Sequence, residues 1–243
     1  MFGLVAAVSF ALAAPSVHWL DSGSLVSSAW TMGVAHPPGE PLYLAFARLA
    51  QLLPVGDIAF RVTLLSGLCT ALCAALLYQL AGGDLLGSLL SAASLLGFAS
   101  QLQAGRPELY AAVALLLVGS ITVARRGGLV GWASVGGLGG LGVSLHPLLC
   151  AAAAPALLFL LGRSDWRRGL AAACVTGVLS LGALLWLPLR ALANPAGAWG
   201  IPDNPGRFLD VLLARNFAKN FGPERVDILE NAGLIGRIWL QEG

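Results

Sequence analysis

Seven stretches of this chain, near residues 2–18, 58–80, 84–101, 108–124, 129–145, 146–162 and 169–189, run almost without charge over 17 to 23 positions. A helix rises 1.5 Å per residue, so roughly 20 apolar residues cross the hydrocarbon of a bilayer. Runs of that length restrict the fold to helices that satisfy their own backbone in lipid. Composition agrees: 57% of residues are hydrophobic and 11% charged, where soluble domains carry roughly 25% charged residues. The expected class is all-α, a polytopic transmembrane bundle of about seven spans. The first run has small Ala13 and Ala14 near its end, as a signal peptide would. It lacks a basic leading region and is followed at once by polar residues, so it reads as a retained first helix.

Charge placement gives the orientation. The connections after the fourth and sixth runs hold Arg125, Arg126, Arg163, Arg167 and Arg168, which the positive-inside rule makes cytoplasmic. Threading outward puts the amino terminus inside. Residues 19–57, the "QAGRPELY" loop, the "SLHP" turn and everything after Leu189 then share the outer side. Ionisable groups converging at one membrane face point to a site; the plainer alternative is that loops are polar because they face water. A net charge of +2 with scattered basic residues offers no nucleic-acid footprint. Cys69, Cys73, Cys150 and Cys174 lie inside apolar runs and read as small hydrophobes.

The first outer loop is the most structured in its chemistry. Residues Leu25–Val34 can lie as an interfacial helix, with Asp21 as its N-cap. A capping box would place Glu or Gln where the chain has Ser24. "HPPGEP" then forces a bend: the residue before a proline is driven extended, Pro37 and Pro38 remove donors, and Pro41 suits the first turn of a following helix. The bend holds His36 and Glu40 between two helices, as either a site or a proline-rich corner. Arg61, just inside the second run, is expected to pair with Asp57 or a helix carbonyl. The chain divides into a transmembrane part, 1–193, containing outer loop 19–57, and a polar tail, 194–243, with an amphipathic helix in "RFLDVLLARNFAKNFG". That tail reads as the start of a C-terminal region that continues elsewhere.

Several pieces occur in a telling order: "DSG", "TMGVAHPPGEPLY", "DIAFRVTLLSGL", "QAGRPELYAA" with Gln103, Glu108 and Tyr110, "GLGVSLHPLL" with His146, and "LWLPLRALANPAGAWGIP". Together they resemble the polytopic family called domain of unknown function 2723, linked to protein O-mannosyltransferases and to the GT-C glycosyltransferases. The resemblance covers roughly residues 8 to 220. It departs at Ser24, where the family usually has an acid.

The resemblance implies a GT-C fold and an inverting glycosyltransferase in the inner membrane of a bacterium. Such an enzyme passes a mannose-like sugar from a polyprenyl-phosphate donor to a protein or glycan acceptor at the outer face. Asp21 stands where the class keeps its catalytic aspartate, as general base. Arg106 and Arg190 are candidates for the leaving phosphate, since guanidinium pairs with phosphate oxygens in bidentate fashion; both also suit interface snorkelling. His36, Glu40, Glu108, Tyr110 and His146 complete the expected substrate-binding set. The histidines with Asp21 or Glu108 could hold a divalent ion, although no tight metal spacing is present. Competing readings are a transporter or flippase subunit and a non-catalytic scaffold, the latter favoured by Ser24.

Overall fold

The computed structural model describes residues 1–18, 21–161, 166–193, 196–220 and 237, and all regular elements among them are helical. In order they are α1 Phe2–Ala11, α2 Ser22–Thr31, α3 Pro41–Gln51, α4 Ile58–Leu80, α5 Leu85–Leu96, α6 Phe98–Ala104, α7 Tyr110–Ala124, α8 Gly128–Val143, α9 Pro147–Leu161 and α10 Trp166–Ser180. A 3-10 turn, Leu181–Leu185, joins α10 to α11 Trp186–Leu192, and α12 Pro205–Leu212 follows. Arg163, Asp165 and most of the tail beyond Asn220 lie outside the described residues.

Helix ends follow the local chemistry. Asp57 Oδ1 accepts from Ala59 N at 2.8 Å to start α4, and Asp84 Oδ1 accepts from Gly87 N at 2.8 Å to start α5. Pro41 opens α3 where its missing N–H costs nothing. Asp21 departs from this pattern. It holds the N-cap position of α2, yet its backbone is already helical, at φ −78° and ψ −7°, and its carboxylate makes no cap bond. α2 itself begins at Ser22 and ends at Thr31, three residues earlier at each end than the interfacial helix read from hydropathy.

Each of the seven apolar runs carries helix. By length and composition, however, only Ile58–Leu80 and the continuous stretch Trp166–Leu192 among the described residues could cross a membrane alone. The run read as a single span over 84–101 is instead two helices, α5 and α6, bent by 65° at Gly97; as a pair they make a third. The 15 and 16 residues of α7 and α8 reach only about 22–24 Å against a core of roughly 30 Å. Apolar turn residues, such as Leu145 before Pro147, score like helix in hydropathy, so the apolar runs extend past the helices. The expected number of about seven spans is therefore not reached by length among the described helices.

α4 is the central post. α1 packs on it through Val5, Ala6, Ala71 and Ala74, while α2, α3 and α7 close around Val62 with Leu25, Ala29, Tyr43, Leu44 and Val113. Arg61 donates to the carbonyls of Gln51, Val55 and Gly56 at 2.8–3.0 Å, so the carbonyl alternative is the one the structure adopts. At the other end of α4, Arg125 Nη1 donates to Leu80 O at 3.0 Å. Beyond this, α8 lies against α10 with backbones almost touching: a Cβ built at Gly136 would stand 2.1 Å from Ala173 O, and one at Gly140 2.3 Å from Gly177 O. Small residues of this kind let apolar helices approach closely where lipid supplies no hydrophobic drive.

That contact leaves no room for a side chain. Gly136→Leu is expected to force α8 and α10 apart, costing roughly 1–3 kcal/mol as overpacking does. It should lower the thermal unfolding midpoint of the detergent-purified protein by several degrees. An unchanged midpoint would show that the helices part freely.

Candidate active site

The site forms where α2, α3 and the segment before α7 meet the side of α4. Between α2 and α3 the His36–Glu40 bend is closed by Gly39 N donating to His36 O at 2.8 Å. Gly39 needs its freedom there: its φ is +92°, and a Cβ would meet Leu187 Cδ2 at 2.8 Å. The next residue, Glu40, takes φ +51° without being glycine, a left-handed geometry that costs roughly 1–2 kcal/mol for an L-residue. Strain of this kind persists only when surroundings over-determine it.

His36 is the hinge of the acidic cluster. Its Nε2 lies 3.6 Å from Asp21 Oδ2 and 3.6 Å from Glu40 Oε1, while Nδ1 lies 3.5 Å from Ser24 Oγ. Ser24 thus faces the histidine. The capping reading of Asp21 and Ser24 gives way, because the Asp21 carboxylate turns toward the imidazole instead of the free N–H groups of α2.

The second half of the site comes from the segment between α6 and α7. Glu108 is held by Ser66 of α4, whose Oγ donates to Glu108 O at 3.0 Å, and Arg106 Nε stands 3.8 Å from Glu108 Oε1. Arg106 Nη2 also donates to Gln103 Oε1 at 3.0 Å. Tyr110 opens α7 within electrostatic reach of Glu108, Asp21 and Glu40, and its ring centroid lies 6.4 Å from that of His146. Ser66 is the ninth residue of α4, so this level is about 12 Å along the helix from its start. The site is recessed in the bundle and lies away from the Arg125 end.

Burial dominates its electrostatics. The Asp21 side chain is 54% exposed, whereas those of Glu40 and Glu108 are 1% and 2% exposed. Burial pushes the Glu40 carboxyl well above the usual range, helped by the charges of Asp21 and Glu108. Burial likewise lifts Glu108 to about 7, against the pull of Arg106 and with a further push from Asp21. One oxygen of each, Glu40 Oε2 and Glu108 Oε2, is buried without a hydrogen-bond partner among the described residues. The His146 imidazole is moved down by burial. Among the described residues no group of three or more His, Cys, Asp or Glu is arranged to hold a metal ion.

Asp21, His36, Glu40, Arg106, Glu108, Tyr110 and His146 thus come together. Arg190 takes a different place. Its Nε and Nη2 donate to Met32 O and Thr31 O at the end of α2, and its guanidinium lies 5.5 Å from the Trp186 ring. A cation there neutralises the partial negative charge of a helix C-terminus. Sequence reasoning missed Tyr43 and Ser66, both buried against this cluster. Tyr43 was signalled by its position one helical turn after Glu40; nothing marked Ser66 among the small residues of α4.

An apolar, all-helical protein with a recessed acidic site is the class these features define. Residues 21–124 match the family described as Protein O-mannosyl-transferase TMEM260 N-terminal domain. That stretch contains every site residue except His146 and Arg190. The chain is also 49% identical over 80 residues to the mouse (Mus musculus) Protein O-mannosyl-transferase TMEM260, a match spanning 32% of this chain and 11% of the mouse protein. No solved structure matches. Both similarities support an O-mannosyltransferase-like family.

The raised Glu108 carboxyl has a signed consequence for stability. A group whose folded pKa exceeds its unfolded value of 4.5 stabilises fully below pH 4.5 and loses that contribution as pH rises toward about 7. The Glu108 carboxyl is therefore expected to cost the wild-type protein stability as pH rises across this window. Thermal unfolding of Glu108→Gln between pH 4.5 and 7 should be visibly flatter. Parallel pH profiles for the two proteins would contradict the assignment.

Proposed function

We propose that this chain carries the active site of a membrane glycosyltransferase that moves a mannose-like sugar from a polyprenyl-phosphate donor to a hydroxyl of a protein or glycan acceptor at the outer face. The reading is supported chiefly by the pairing of one accessible carboxylate, Asp21, with a sealed acid–guanidinium pair, Glu108 and Arg106, at a recessed point of the bundle. The matches to O-mannosyltransferases add a substrate class to that chemistry. A GT-C architecture in the inner membrane of a bacterium, with the amino terminus cytoplasmic, belongs to the same proposal.

In this mechanism Asp21 takes the proton of the acceptor hydroxyl as its oxygen attacks the anomeric carbon. The bond from that carbon to the phosphate oxygen breaks on the opposite side, inverting the centre, and polyprenyl phosphate departs with the bonding electrons. His36, between Asp21 and Glu40, fixes the direction of the base. Arg106 meets the charge that grows on the leaving phosphate, a stabilisation realised most strongly in the transition state. Glu40 and Glu108 retain protons more readily than free carboxylic acids do, which keeps the anionic charge facing the substrate low. Arg190 positions α2, and with it Asp21, from behind.

Asp21→Asn keeps the shape of the side chain and removes the base. Transfer of labelled mannose from polyprenyl-phosphate mannose is expected to fall by roughly 100-fold or more while insertion and unfolding midpoint stay unchanged. Full activity in that variant would remove Asp21 from the chemistry. Orientation is checked separately: a cysteine placed at Arg126 should resist a membrane-impermeant reagent in intact cells. Labelling from outside would reverse the shared-face assignment.

A further inference from the structure

Tyr43 is the largest fully buried side chain among the described residues, 1% exposed, and it stands in the first turn of α3, one helical turn after Glu40. It belongs to the core that α2, α3, α4 and α7 share. Its ring walls an apolar cavity of about 490 Å³ together with Leu42, Phe46, Leu65 and Leu145, and apart from the Cys69 thiol that wall gives its hydroxyl no polar group. The ionisable groups that act on the phenol are Glu40 from the bend, Glu108 from the segment before α7 and Cys69 of α4, with the Ser66 hydroxyl beside it. The hydroxyl therefore belongs to the acidic cluster, although no step of the proposed reaction uses it.

Three buried oxygens here have no hydrogen-bond partner among the described residues: Tyr43 Oη, Glu40 Oε2 and Glu108 Oε2. A buried polar atom left unbonded is costly and rare, so three in one cluster point to a shared arrangement. Ser66 is already engaged, since its Oγ donates to Glu108 O at 3.0 Å and stands 3.4 Å from Glu108 N. The other oxygen of each acid is engaged too: Glu40 Oε1 faces His36 Nε2 at 3.6 Å, and Glu108 Oε1 faces Arg106 Nε at 3.8 Å. A phenol both donates and accepts, so it is suited to join the two oxygens that remain. We propose that Tyr43 is a positioning residue of the site: its phenol links the free carboxyl oxygens of Glu40 and Glu108 in one buried hydrogen-bonded chain, completed by water where a span exceeds a hydrogen bond, and so holds Glu40 against His36. Such a chain supplies part of the over-determination that the left-handed backbone of Glu40, at φ +51°, requires. Tyr43 acts through Glu40 and His36 on the direction of Asp21 and touches no substrate, a role that rests on the reading of Asp21 as base.

The test turns on the sign of one substitution. Tyr43→Phe keeps the ring that fills the core, and with it the fold, and removes only the hydroxyl. Loss of an unbonded buried hydroxyl would leave the unfolding midpoint unchanged or raise it. Loss of the joint of a chain is expected to lower the midpoint of the detergent-purified protein by about 2–4 °C, the shift one hydrogen bond gives in a chain of this length. Glu40→Met removes the carboxyl and keeps the length of the side chain; in that background Tyr43→Phe should lose most of its effect, as coupled residues do. A full effect in both backgrounds, or no lowering in either, overturns the proposal. Transfer of labelled mannose from polyprenyl-phosphate mannose is measured in parallel. Tyr43→Phe is expected to lower kcat about tenfold with KM unchanged, because the residue orients the base and meets neither substrate; an unchanged kcat overturns the positioning role. Coupling between Tyr43 and Glu40 in a wild-type chain that transfers no sugar would sink the glycosyltransferase reading and leave the hydrogen-bonded chain standing. Normal transfer with additive effects of the two substitutions would sink the hydrogen-bonded chain alone.

Discussion

The withdrawal of carboxylates from water is the constraint on which the rest of this structure depends. Asp21, Glu40 and Glu108 act on one another through space, and Arg106 and His36 stand beside them. Buried acids without full pairing would ordinarily unfold such a site or neutralise themselves. Here burial raises the proton affinity of both Glu40 and Glu108. The apolar bundle around them supplies the rigidity that keeps the groups from drifting out to solvent.

That rigidity is layered. The His36–Glu40 bend is held from beneath by Val34, Leu187 and Val211, which form one small core with Leu184. Trp199 N donates to Val34 O at 3.0 Å, so the segment leading to α12 lies across the bend. Arg190 grips the end of α2 from α11. Elements from beyond residue 180 therefore fix a site whose carboxylates all come from the first 110 residues. The matched family stretch, 21–124, contains the chemistry but not this clamp.

Much of this was legible in the sequence, for physical reasons that differ by residue. Apolar runs located α4 to the residue, since Asp57 supplies both a cap and the end of the apolar run. The proline chemistry of "HPPGEP" fixed the bend and its two side chains. Orientation and depth were not legible: nothing in a hydropathy pattern says that Glu108 will hang from Ser66 partway along another helix. Nor does it reveal that Gly97 breaks a continuous apolar run, because glycine is tolerated inside membrane helices and marks a break only when packing requires one. The bonding of Arg190 was not legible for a related reason: a guanidinium at a helix end suits phosphate and backbone carbonyls equally well, and the fold places the end of α2 beneath it.

Ser24 shows how the charge balance and the local fold are connected. Were it a capping residue, its side chain would reach back to the N–H of Asp21; instead its hydroxyl meets His36 Nδ1 at 3.5 Å. An acid at this position, as in the family the sequence resembles, would therefore stand on the opposite edge of the imidazole from Asp21 and Glu40. The cluster would then hold three acids around one histidine, with Glu108 and its guanidinium beyond them, and each added anion raises the pull on a proton or a cation. Serine satisfies the Nδ1 edge without adding charge. The burden of compensation stays on Arg106 and on the raised proton affinity of Glu40 and Glu108, and Ser24 adds no charge to it.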